Sequence, residues 1–155
     1  MHYLFIAEKP SLMRTVRACY LNHKQEVEQH VGMIDFVAMA GHLCVNFMPD
    51  DYEDAPWSGL HWDEVSYPMV PDTWKIKPIA NPRSQKLLHD IASKIPLYDG
   101  FIVGTDSDME GYGIYYLLEH YLKFTDKKAL RFIEQSLTDK EILSSLMSMT
   151  DYHTD

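Results

Sequence analysis

Cysteine is scarce, positive charge is in deficit, and no long apolar run occurs. Cys19 and Cys44 form no close pair, so neither a disulfide framework nor a thiolate zinc site is expected. No apolar stretch approaches the ~18 residues that a membrane-spanning helix needs. No basic segment followed by a long apolar run marks a secretory signal. These absences point to a soluble protein of a reducing, cytoplasmic compartment, without a membrane partner. Lys and Arg number 14 against 23 Asp and Glu, a formal charge of −9. A non-specific nucleic-acid binder normally shows the opposite balance. Contact with DNA or RNA would therefore need a local site, a metal ion or another chain. Internal repeats and low-complexity tracts are also absent.

What is present suits one globular domain. The 155 residues are 46% hydrophobic and 24% charged, enough to bury a core. Met1 stands just ahead of the first apolar run, as expected of a natural N-terminus. Tyr3–Ala7 reads as a buried strand. Pro10 disfavours a helical Lys9, and Ser11 is the expected cap of a helix running to about Leu21. A polar stretch from Asn22 to His30 carries no assignment. Met33–Ala40 is strand-like and ends at Gly41-His42-Leu43. Residues 49–82 hold six of the eight prolines and all three tryptophans, without a clean period. This is an ordered, irregular excursion within a single domain spanning 1–155. A helix over Arg83–Lys94, a strand over Gly100–Gly104, a helix over about Gly113–Tyr121 and a strand over Leu130–Ile133 follow. Thr138 with Glu141 forms a capping box ahead of an apolar helix through Met149. Alternating strands and helices predict an α/β fold with a mainly parallel sheet.

Asp106, Asp108 and Glu110 alternate directly after the second buried strand. One acid there caps a helix N-terminus, where negative charge is favoured by ~0.3–1 kcal/mol. Three exceed that need. Crowded carboxylates repel, and a hard divalent cation, Mg²⁺ or Mn²⁺, relieves the repulsion while leaving room for substrate phosphate. Glu8 would arrive from a neighbouring strand end, with Lys9 beside it as a fixed positive charge.

Phe5-Ile6-Ala7-Glu8-Lys9-Pro10-Ser11, Ala40-Gly41-His42-Leu43 and Thr105-Asp106-Ser107-Asp108-Met109-Glu110-Gly111 resemble the successive motifs of the Toprim domain of type IA DNA topoisomerases. The likeness is strongest to the bacterial topoisomerase III branch and runs from about Tyr3 to Met149. Tyr67-Pro68-Met69-Val70-Pro71 and Trp74-Lys75-Ile76-Lys77-Pro78 resemble that branch's segment between the second and third motifs. The resemblance implies a Toprim, Rossmann-like fold with a four-stranded, mainly parallel sheet between helices. It implies catalytic roles for Glu8, near the scissile phosphate, and for Lys9, steadying its charge. It makes Asp106, Asp108 and Glu110 the Mg²⁺ ligands, with Ser11, His42 and Gly111 adjacent to the site. His42 has a plainer reading too, as a packed residue in a turn after a strand.

Two positions depart from the family pattern. Met109 stands where the family has arginine, and Tyr112 where it commonly has Glu or Gln. A thioether carries no charge, so the electrostatics around the acids are altered. The domains that carry the nucleophilic tyrosine have no room in 155 residues. Tyr98, Tyr112, Tyr115, Tyr116 and Tyr121 sit in no matching motif and read as packing residues. The chain alone is therefore expected not to relax supercoiled DNA. The expected function is the magnesium-binding part of a DNA topoisomerase, an isomerase acting on single-stranded DNA together with the missing domains or a partner chain. The alternatives are a stand-alone Mg²⁺-dependent Toprim nuclease and a non-catalytic, partner-binding Toprim module. The eight histidines show no ligand spacing, and His23, His30, His61, His89 and His120 read as surface or packing residues. The acidic run 50–54 reads as a solvated loop, and most of the nine methionines as core, with no cofactor box.

Overall fold

A computed structural model of the chain describes residues 1–48, 51–52, 75–106, 108–134 and 136–153. Among the described residues, seven strands and five α-helices run β1 (His2–Ala7), α1 (Pro10–Asn22), α2 (Lys24–His30), β2 (Met33–Ala38), β3 (Cys44–Asn46), β4 (Ile76–Pro78), α3 (Pro82–Lys94), β5 (Gly100–Gly104), α4 (Met109–Leu122), β6 (Lys128–Arg131), α5 (Asp139–Met147) and β7 (Thr150–Asp151). The main sheet has the order β2-β1-β5-β6-β7, parallel throughout except for β7, which pairs antiparallel with β6. The α/β class with a mainly parallel sheet is thus present. The sheet has five strands rather than four, because a two-residue strand after α5 adds an edge.

β1 is apolar on both faces because both are covered. Tyr3, Phe5 and Ala7 point into one core, shared with Leu12, Val16, Cys19, Ile34, Phe132, Ile142 and Leu146. Leu4 and Ile6 point into the other, with Met39, Ile91, Phe101, Ile114, Leu118 and Tyr152. The molecule is a three-layer sandwich, with α1, α2 and α5 on one face and α3 and α4 on the other. Phe5 lies 5.3 Å from both Phe36 and Phe132, edge-on to the latter.

Three local expectations change. Ser11 is not the cap of α1: Lys9 holds the extended N-cap position (φ −146°, ψ 155°) and Pro10 fills the first helical position, where its missing N–H costs nothing. The unassigned polar stretch contains α2, anchored by the single buried side chain of Val27. Helix α4 begins at Met109, four residues ahead of the sequence estimate. The Thr138 cap is as expected, its Oγ1 accepting from Glu141 N–H at 3.4 Å.

Most of the 49–82 excursion, including Tyr67–Pro71 and all three tryptophans, lies outside the described residues. The part that is described is regular at its end, since β4 pairs antiparallel with β3. Lys77 Nζ meets Asp51 Oδ2 at 2.7 Å, and Lys75 N–H donates to the buried Tyr52 hydroxyl at 3.1 Å.

Candidate functional site

β1 and β5 are parallel neighbours that end side by side. Ala7 faces Gly104, and Glu8 N–H donates to the Gly104 carbonyl at 3.3 Å. The chain leaves β1 for β2 on one side and leaves β5 for β6 on the other. Connections therefore diverge between β1 and β5, and in open parallel sheets the crevice at the carboxyl end of such a reversal is where ligands bind.

Both sequence-predicted loops meet in that crevice. Asp106 N–H donates to Glu8 Oε1 at 3.3 Å, across 98 residues of chain. Burial pushes the half-buried Glu8 carboxyl above its ordinary range; the bond from Asp106 N–H opposes this, the charges of Asp106 and Asp108 add to it, and Lys9 offsets a part. Like charge has been gathered here at an electrostatic cost, which marks functional sites more often than structural ones.

Asp108 has a structural task as well. It is the N-cap of α4, and its Oδ1 accepts from Gly111 N–H at 2.7 Å. That bond engages one of its two carboxylate oxygens. Gly111 is fixed by contact: a Cβ there would lie 2.0 Å from the Asp106 carbonyl oxygen, so only glycine lets the first turn of α4 fold over Asp106. Glu110 is exposed in that turn, where the helix dipole favours its charge. Thr105, Asp106, Asp108 and Glu134 line a cavity of 220 Å³.

Glu134 escaped the sequence reading. Its signal was available, because it directly follows the expected last strand and so falls at the same sheet edge. Gly41 enters through its backbone: its φ of +74° is a left-handed turn, and its N–H donates to the Glu8 carbonyl at 3.2 Å. His42 follows, half-buried. Ser11 is exposed on the first turn of α1, its carbonyl accepting from the Thr15 hydroxyl at 3.0 Å. Met109 is 89% exposed. Tyr112 is also exposed and stacks on Tyr116 and Tyr152 at centroid distances of 6.0 and 5.6 Å, a packing role.

Among the described residues, no three of these carboxylates bring ligand oxygens within 4.8 Å of one another; the set that does is Cys19, His23 and Asp139. The strand-end acids therefore form no closed cage. They fit the mode usual for Mg²⁺, in which one or two carboxylates share the ion with water and substrate phosphate. Asp106, Asp108 and Glu110 are the residues that could offer it oxygen ligands, with Glu8 bonded to the Asp106 N–H beside them. No helix among the described residues is long and apolar enough to cross a membrane. No protein-family model matches the chain, and no curated protein matches its sequence.

Proposed function

We propose that this chain is a Toprim-type unit of a type IA DNA topoisomerase, supplying the acidic, Mg²⁺-dependent site for cleavage and religation of single-stranded DNA. The observation that carries the reading is the Glu8–Asp106 contact, which joins two motifs far apart in sequence at the sheet's switch point. Asp106 and Asp108 would hold Mg²⁺, and Glu8 would lie beside the scissile phosphate. Mg²⁺, when bound, neutralises phosphate charge that this acidic chain could not otherwise approach. Lys9 is exposed next to Glu8 and places a cation for a phosphoryl oxygen. Glu8 is suited to hold a proton, because its pKa is raised by burial and by its acidic neighbours.

The chain is expected to need the tyrosine-bearing domains. The test mixes it with a separately produced fragment carrying them, single-stranded DNA and Mg²⁺, and looks for a covalent protein–DNA adduct. An adduct that requires both chains and is lost in Asp108→Asn supports the reading. Its absence from every complemented mixture contradicts it. The raised pKa of Glu8 also favours a second reading, a stand-alone nuclease in which Glu8 is the general base for water. Mg²⁺-dependent nicking by the chain alone, abolished by Glu8→Gln, would select that reading instead.

A further inference from the structure

The end of α1 carries a second group of ligand-type side chains, and nothing in the proposed DNA chemistry uses it. Cys19 lies in the last turns of α1, His23 is its C-cap residue four positions on, and Asp139 is the first residue of α5. One ligand atom from each lies within 4.8 Å of both others. Reading the histidines as lacking ligand spacing therefore fails at His23: Cys19 and His23 are one helical turn apart, on one face.

We propose that Cys19, His23 and Asp139 form a binding site for a borderline divalent metal ion of the zinc type. The donor set decides the class. One thiolate, one imidazole and one carboxylate suit Zn²⁺, whereas Mg²⁺ takes oxygen. The geometry needs only small adjustment. His23 Nε2 now meets Asp139 Oδ2 at 2.6 Å, and Cys19 Sγ donates to the Asp139 carbonyl at 3.4 Å. Tetrahedral zinc with Zn–N and Zn–O near 2.1 Å would spread the first pair to about 3.4 Å, and set the sulfur about 3.6 Å from each. Those spreads lie inside the 4.8 Å envelope and within reach of side-chain torsions.

The imidazole is already oriented for ligation. Nε2 faces Asp139, while Nδ1 lies 3.9 Å from Glu26 Oε1. A carboxylate behind the non-ligating nitrogen is the usual outer partner of a zinc-bound histidine. An entry path exists as well: a cavity of 430 Å³ is lined by Cys19 and Asp139, together with Arg14, Thr15 and Leu137. Cys19 as a whole is 2% exposed, so a metal ion would reach it by way of that open cavity. On binding, the thiol proton and the proton shared by His23 and Asp139 leave to solvent. Three protein ligands then hold the ion, with the fourth position open toward the cavity.

The experiment titrates the full chain with Co²⁺ as a spectroscopic stand-in, then adds Zn²⁺. The expected result is a thiolate-to-cobalt charge-transfer band with the visible absorption of four-coordinate cobalt, saturating at one ion per chain and erased by Zn²⁺. Cys19→Ser removes the charge-transfer band, and Cys44→Ser keeps it. His23→Gln and Asp139→Asn, both at solvent-accessible positions, each weaken Co²⁺ binding by more than roughly tenfold. They decide the matter should Cys19→Ser fail to fold. Asp108→Asn and excess Mg²⁺ leave the band unchanged, which separates this site from the strand-end acids. Absence of the band in the wild-type chain overturns the proposal. So does a band that survives Cys19→Ser, or unaltered affinity in His23→Gln and Asp139→Asn.

Discussion

The two ends of α1 carry opposite electrostatics. At its start, Glu8 faces Asp106 and Asp108, and like charges meet at the sheet edge. At its end, about 20 Å along the helix axis, His23 meets Asp139 at 2.6 Å and the partners attract. The start gathers like charges, though among the described residues no three of its carboxylates bring oxygens within 4.8 Å of one another. The end brings its donors together unaided. Carboxylates crowded without a cation destabilise the fold that holds them, whereas an imidazole–carboxylate pair contributes to it. Charge crowded at an electrostatic cost, as at the start of α1, is found more often at functional sites than at structural ones.

That contrast is most strongly tested on activity. Glu8→Gln and Asp108→Asn are expected to reduce adduct formation or nicking by about 10²–10⁴-fold, measured in the complemented cleavage assay. Asparagine still caps a helix, so Asp108→Asn should leave α4 intact by circular dichroism. Activity retained in either variant would remove the functional reading of the start of α1.

Gly111→Ala breaks the same end by sterics. The added Cβ meets the Asp106 carbonyl, so a loss of about 1–3 kcal/mol is expected in urea unfolding, together with weakened Mg²⁺ binding. Thr138→Ala acts on the opposite end, loosening the turn that presents Asp139. It should cost about 0.5–2 kcal/mol and leave DNA chemistry unaltered.

The smallest effects carry the sharpest sign. Without metal, Glu8→Gln should raise the melting temperature, because ionised Glu8 is disfavoured in the folded state. The folded-state pKa of Glu8 is raised, so its contribution is present at acid pH and is lost as pH rises through that value. His23→Gln should lower the melting temperature. The bond to Asp139 raises the pKa of His23, and its contribution is lost as pH rises through the raised value. The bond to His23 lowers that of Asp139, whose contribution is lost as pH falls through the lowered value. The pair therefore stabilises the fold between those two limits, and His23→Gln should flatten the stability profile there. Equal signs for Glu8→Gln and His23→Gln would erase the contrast.

Sequence pattern made the start of α1 legible and left its end dark. β1 and β5 were readable because both of their faces are buried, giving unbroken apolar runs, and the acids follow β5 without a gap. The Thr138 cap was readable because capping is local. Ser11 was favoured over Lys9 on side-chain chemistry, while the fixed φ of Pro10 decided the boundary. Helix α2 was hidden because one buried residue, Val27, makes no stripe. β7 was hidden because two residues make no pattern; it is held by Tyr152, whose N–H donates to Ala129 at 2.9 Å and whose ring packs on Tyr115. The Cys19–His23 spacing was present in the sequence but gained meaning only when folding brought Asp139 to it from 116 residues beyond His23.

The most direct test is Mn²⁺ binding, followed by electron paramagnetic resonance in the presence of single-stranded DNA. Mn²⁺ shares the oxygen preference of Mg²⁺. The account predicts one protein-bound Mn²⁺ in the wild-type chain and in His23→Gln, with loss of the bound signal in Asp106→Asn and in Asp108→Asn. A wild-type chain that leaves Mn²⁺ free in solution, or one whose bound signal survives both substitutions, would contradict it.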